Sequence, residues 1–117
     1  MLLLTTEEIP QNLQLVRTFG VVIASRNKAL GLFKDKLIAL KDKFGGTSGT
    51  LDKAVNQAAT EAIKTMETTA KNIYKDANAI IGIRLDSSIV SMKEGRVMVH
   101  VFAYGTVARV EPKRGKQ

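Results

Sequence analysis

The sequence predicts an α+β domain, a small sheet of three to four strands with two helices packed on one of its faces, in the order ββααββ. Three observations predict it. Apolar residues alternate in the first and last thirds of the chain, and they recur at three- and four-residue spacing in the middle. A glycine-rich turn, Gly45-Gly46-Thr47-Ser48-Gly49, divides that middle in two.

The elements follow in order. Leu2 to Thr5 reads as a short strand, joined through Ile9-Pro10 to a second. In that second strand, Leu13, Leu15, Phe19, Val21 and Ile23 point one way, and Gln14, Thr18, Gly20 and Ala24 the other, up to Ser25. Arg17 interrupts the apolar side, which suits an edge strand. From Asn27, a fair N-cap, the period changes: Leu30, Phe33, Leu37, Leu40 and Phe44 form one helical stripe. Gly45 and Gly46 end that helix, because glycine enters the left-handed conformation at little steric cost.

A longer helix runs from Leu51 towards Asp76, with Val55, Ala58, Ala62, Ile63, Met66, Ala70 and Ile73 on its stripe. Its alanines permit close approach to a sheet. The β period returns at Ala79, with Ile81, Ile83 and Leu85 on one side and Ile80, Gly82, Arg84 and Asp86 on the other. Lys93-Glu94-Gly95 is a hairpin turn signal. The last strand sets Val97, Val99, Val101, Ala103 and Val107 against Met98, His100, Phe102, Tyr104 and Thr106, so both of its faces carry apolar groups. Two helices cover only one face. The second, with Met98, His100, Phe102 and Tyr104, is therefore expected at a contact between subunits.

At 117 residues, 44% of them hydrophobic, the chain makes one domain over 1–110, followed by a basic, flexible tail over 111–117. The absence of cysteine excludes disulfides, thiolate nucleophiles and Cys-based zinc sites, and points to a cytoplasmic protein. Met1-Leu2-Leu3-Leu4 is too short for a signal-peptide core or a membrane span, so no membrane association is expected.

The net charge of +7 is uneven: Arg26 to Lys43 holds six basic residues and two acidic ones, whereas Leu51 to Asp76 balances four against four. A basic first helix could bind nucleic acid or another anion. A solvated helix face explains the same charges more simply, and aromatic stacking surfaces do not interleave with them.

No nucleophile, base and orienting group can be named together, so a catalytic site, and with it an enzyme, is not expected. His100, the single histidine, lies mid-strand and makes no metal site within one chain. Copies brought together across subunits, with carboxylates such as Asp86, remain an alternative. Gly46, Ser48, Gly49 and Thr50 could turn backbone N–H groups and hydroxyls towards an anion. They lack the Walker pattern and follow no strand, which favours a plain helix–helix turn. Arg84 and Asp86 share a strand face and could form a solvated or interfacial pair. No cofactor is implied.

Phe19-Gly20-Val21-Val22, the Gly45 to Gly49 turn, the alanine-rich helix after it, Asp76-Ala77-Asn78-Ala79-Ile80-Ile81-Gly82-Ile83 and Gly105-Thr106-Val107 together resemble the YbjQ-like family of small bacterial and archaeal proteins. The resemblance spans Leu13 to Val110. It implies a YbjQ- or dodecin-like subunit assembling into a homopentameric ring. The family carries a heavy-metal-binding label, and its biochemical role is not established. Gly31, Asp35 and Ser48 keep the family pattern. Leu32, Lys34, Thr47, Leu51 and the run Arg84-Leu85-Asp86 depart from it. The expected role is that of a non-enzymatic homo-oligomer binding a small ligand or ion between subunits, with anion or nucleic-acid binding and inter-subunit metal binding as alternatives.

Overall fold

A computed structural model describes residues 1–33, 49–91 and 95–113, the side chains of 29–33 and 49–52 excepted. Four strands and one helix are found among these residues: β1 (Leu2–Leu3), β2 (Leu13–Phe33), α1 (Gly49–Ile73), β3 (Ala79–Ser91) and β4 (Arg96–Pro112). The sheet order is β1-β3-β4-β2. β1 runs parallel to β3, and the β3–β4 and β4–β2 pairs are antiparallel. The sheet is therefore mixed.

Among the described residues this corrects the expected ββααββ order with two helices to ββαββ with one. The predicted first helix begins at Asn27, yet Asn27 to Phe33 continue β2. Asn27 pairs with His100, Lys28 with Val99, Ala29 with Met98 and Phe33 with Arg96. The physical reason is the length of β4. Its first residues offer unpaired N–H and C=O groups, and an extended β2 satisfies them. Leu30 and Phe33, three apart, are too short a run to separate helix from strand. Residues 34–48, including the remaining predicted stripe Leu37, Leu40 and Phe44, lie outside the described residues, as does the turn from Gly45 to Ser48.

α1 lies across β2 and β4 on one face of the sheet. Ala54, Ala58, Ala62, Met66 and Ala70 are buried against it. They follow an i, i+4 row, which is inclined to the helix axis and so tracks the twist of the strands below. Towards the start of the helix, Ala54 and Ala58 cover Val97, Val99 and Val101. Further along, Ala62, Met66 and Ala70 pack with Val22, Ala24, Ile80, Ile83, Ala103 and Val107. Ile73, expected on the stripe, is exposed.

Register also reverses the expected inner face of β2. Gly105 pairs with Val22 and Ala103 with Ala24, and Val22 and Ala24 are the residues buried under the helix. Val21 and Ile23 point away from it. Phe19 has the parity of Val21, but irregularities at Leu15/Arg17 and Thr18/Gly20 turn it towards the core, where its ring stacks on Tyr74 at 5.3 Å. β2 is an edge strand, as Arg17 suggested, and the Arg17 guanidinium lies 5.0 Å from the Phe19 ring centre.

β3 has an irregularity of its own between Ile81 and Arg84. Gly82 sits there with φ 63°, a conformation that favours glycine. Its N–H donates to Thr6 O at 2.9 Å, and Ile83 N–H to Leu4 O at 3.0 Å, which fastens the N-terminal segment along the edge of β3. The β3–β4 connection keeps Ser91 opposite Val97, and Gly95 has φ 77°. β4 runs on through Glu111 and Pro112, which pair with Gln14 and Leu13. No helix among the described residues is long and apolar enough to cross a membrane.

Candidate functional site

Strand alternation places Met98, His100, Phe102 and Tyr104 together on the face of β4 turned away from α1, each half-buried. On one side of them β2 contributes Val21, Ile23, Ser25 and Asn27. On the other, β3 contributes Arg84, Asp86, Ser88 and Val90. Directly opposed residues of antiparallel strands share a face, so the ladder alone fixes this grouping. Val21 is 65% and Ile23 66% exposed, beside Phe102 and Tyr104 rings whose centres are 6.2 Å apart. The outcome is an apolar strip along the middle of an open sheet face.

His100 stands in this strip as a neighbour of Phe102, with ring centres 5.9 Å apart. Its Nδ1 lies 2.5 Å from Asn27 Oδ1. An amide oxygen only accepts, so Nδ1 carries a proton and donates it. Asn27, expected to cap a helix, instead orients the histidine from the adjacent strand. Arg84 and Asp86 share the face as expected, but they form no ion pair with each other among the described residues. Arg84 instead donates from Nη1 to Thr5 O at 2.5 Å and to Ile83 O at 3.1 Å.

The proposed anion loop is not assembled from described residues: Gly46 and Ser48 lie outside them, and Gly49 and Thr50 open α1. The predicted basic helix fares similarly. Arg26 and Lys28 belong to β2, whereas Lys34, Lys36, Lys41 and Lys43 lie outside the described residues. On the helix side of the sheet, however, Lys28 meets Lys53 and Lys64 of α1 around a groove of about 680 Å³. Sequence reasoning missed this juxtaposition, since it depends on β2 continuing to Lys28 beneath the helix. It also left Val21 and Ile23 out of the open face, although their parity with Ser25 and Asn27 held the signal.

The UPF0145 protein of Dehalococcoides mccartyi is 34% identical over 111 residues, covering 95% of this chain and all of that protein. The UPF0145 protein of Trichormus variabilis is 28% identical over 109 residues, covering 93% of this chain and 99% of that one. A crystal structure of a DUF74-family protein of unknown function from Pediococcus pentosaceus has the same fold, with a TM-score of 0.63 at 20% identity, over 95% of this chain and 98% of that one.

The family model matching residues 1–111 is described as "Putative heavy-metal-binding". The donors of this chain do not fit such a site within one subunit. A soft metal ion asks for thiolates or several imidazoles. The chain has no cysteine and a single histidine, and the described residues contain no group of three His, Asp or Glu side chains around a common point. Matched over almost its whole length by the family model and by relatives of its own size, the chain belongs to the YbjQ_1 family.

Proposed function

We propose that this protein is a non-enzymatic, cytoplasmic homo-oligomer, a ring of five in the form the family resemblance implies. The open sheet face is the subunit contact, and the grooves between subunits receive a small ligand or ion. The observation that carries the reading is the strip of Val21, Ile23, Met98, Phe102 and Tyr104. In a lone chain it leaves two β-branched residues about two-thirds exposed beside half-buried aromatic rings. Exposed aliphatic groups that adjoin aromatic rings gain most from burial against another surface. His100 suits a contact better than catalysis, since it is oriented by an amide and flanked by a phenyl ring, and among the described residues Ser88, opposite it in β3, makes no hydrogen bond to it.

Size-exclusion chromatography with light scattering at micromolar concentration tests the reading. The expected mass is five times the 12.8 kDa of one chain. Ile23→Glu places a charge where a lone chain already exposes the side chain. It should lower the mass towards one chain while the far-ultraviolet circular dichroism stays the same. A wild-type protein that elutes strictly as a monomer would overturn the assignment.

A further inference from the structure

We infer that the groove between α1 and the distal half of β2 binds a ligand carrying several linked phosphates. Its walls bring Lys28 from the strand together with Lys53 and Lys64 from the helix, and the hydroxyl of Thr60 and the amide of Gln57 lie between them. Glu61 is the one carboxylate among the described lining residues, whose formal charges sum to +2. Lys28 is half-buried. Among the described residues no carboxylate lies within ion-pair distance of any of the three lysines. Next to Lys64 in α1, Thr65 Oγ1 accepts from the Arg26 guanidinium at 2.6 Å, which extends the row of cations on the same side of the sheet.

The chemistry of the lining selects the ligand class. Ammonium groups act as point charges and lack the planar fork that suits a single carboxylate, whereas three of them around one volume match charge spread over several phosphates. Among the described residues no aromatic ring lines the groove, so bases gain no stacking from them and the phosphate chain itself is recognised. The chain's overall charge of +7 favours the approach of such a ligand. The groove lies on the helix side of the sheet, opposite the open face, so it does not depend on assembly.

Isothermal titration of the full-length protein with sodium tripolyphosphate, at about 20 mM salt to limit screening, tests the proposal. Binding should be tighter than for orthophosphate and should weaken as salt is added. Lys28→Gln combined with Lys64→Gln should lower affinity about tenfold, and Glu61→Gln should raise it. Lys113→Gln, which removes a charge away from the groove, should change little. A nucleoside triphosphate that binds no more tightly than tripolyphosphate supports recognition of the phosphates alone. No binding at low salt, a loss with Lys113→Gln equal to that of the groove pair, or tighter binding of a single-stranded oligonucleotide would each overturn the proposal.

Discussion

A methyl group added at position 105 would lie 2.7 Å from Ile80 Cγ2, 3.2 Å from Ile83 Cγ1 and 3.3 Å from the carbonyl oxygen of Ile81. Gly105 is buried where β3 and β4 meet beneath α1, so neither strand can move aside without disturbing the core. Gly105→Ala should cost about 1–3 kcal/mol of stability, the usual penalty for overpacking. Urea unfolding should give a lower midpoint with an unchanged slope. The sequence marked Gly105 as part of a motif, but the reason it must be small lies in Ile80, twenty-five positions away along the chain. The grouping of Met98, His100, Phe102 and Tyr104 was legible from alternation alone. The partner of His100 was not, because Asn27 reaches it only across the β2–β4 ladder.

Between elements, Asn78 does what an additional pair of ladder bonds would do. Its Nδ2 donates to Val110 O, and Val110 N–H donates to its Oδ1, both at 2.8 Å, while its backbone N–H donates to Ala108 O at 3.1 Å. The start of β3 is thereby tied to the far end of β4. Asn78→Ala removes the two side-chain bonds and leaves half-buried backbone groups without partners. It should cost about 1–3 kcal/mol, and amide hydrogen exchange should quicken around Val110 before it does in α1. The helix from Leu51 was legible because its stripe lasts for many turns, and β4 because its alternation is long. The end of β2 was not. Leu30 and Phe33 have the three-residue spacing of a helix but are too short a run to fix one, and what decides is the paired length of β4, a property of another part of the chain.

For the whole molecule, the Cα radius of gyration is 18.3 Å and the longest extent 64 Å. A compact domain of this length would have a radius of about 13 Å. An elongated chain with an apolar strip on the sheet face turned away from α1 has much surface to bury by pairing. If the folded chain is stabilised by its neighbours, the midpoint of thermal unfolding should rise with protein concentration, since mass action favours the associated state. Differential scanning fluorimetry over a hundredfold dilution series checks this. A midpoint that stays constant would mean that subunits contribute nothing to one another's stability. In Ile23→Glu the dependence should vanish while the midpoint at high dilution matches that of the unaltered protein.

Local pattern determined the long helix, the two C-terminal strands, the doubly apolar character of β4 and the absence of thiol chemistry. Each of these depends only on the kinds of residue and their spacing. Tertiary structure decided which side of β2 is inside, how far that strand runs, what holds His100, and that Lys28 faces Lys53 and Lys64 across a groove. All four depend on strand register and on where α1 lies. A shift of one residue in register would exchange Val21 for Val22 beneath the helix, and both are valines, so the sequence there is indifferent to the choice.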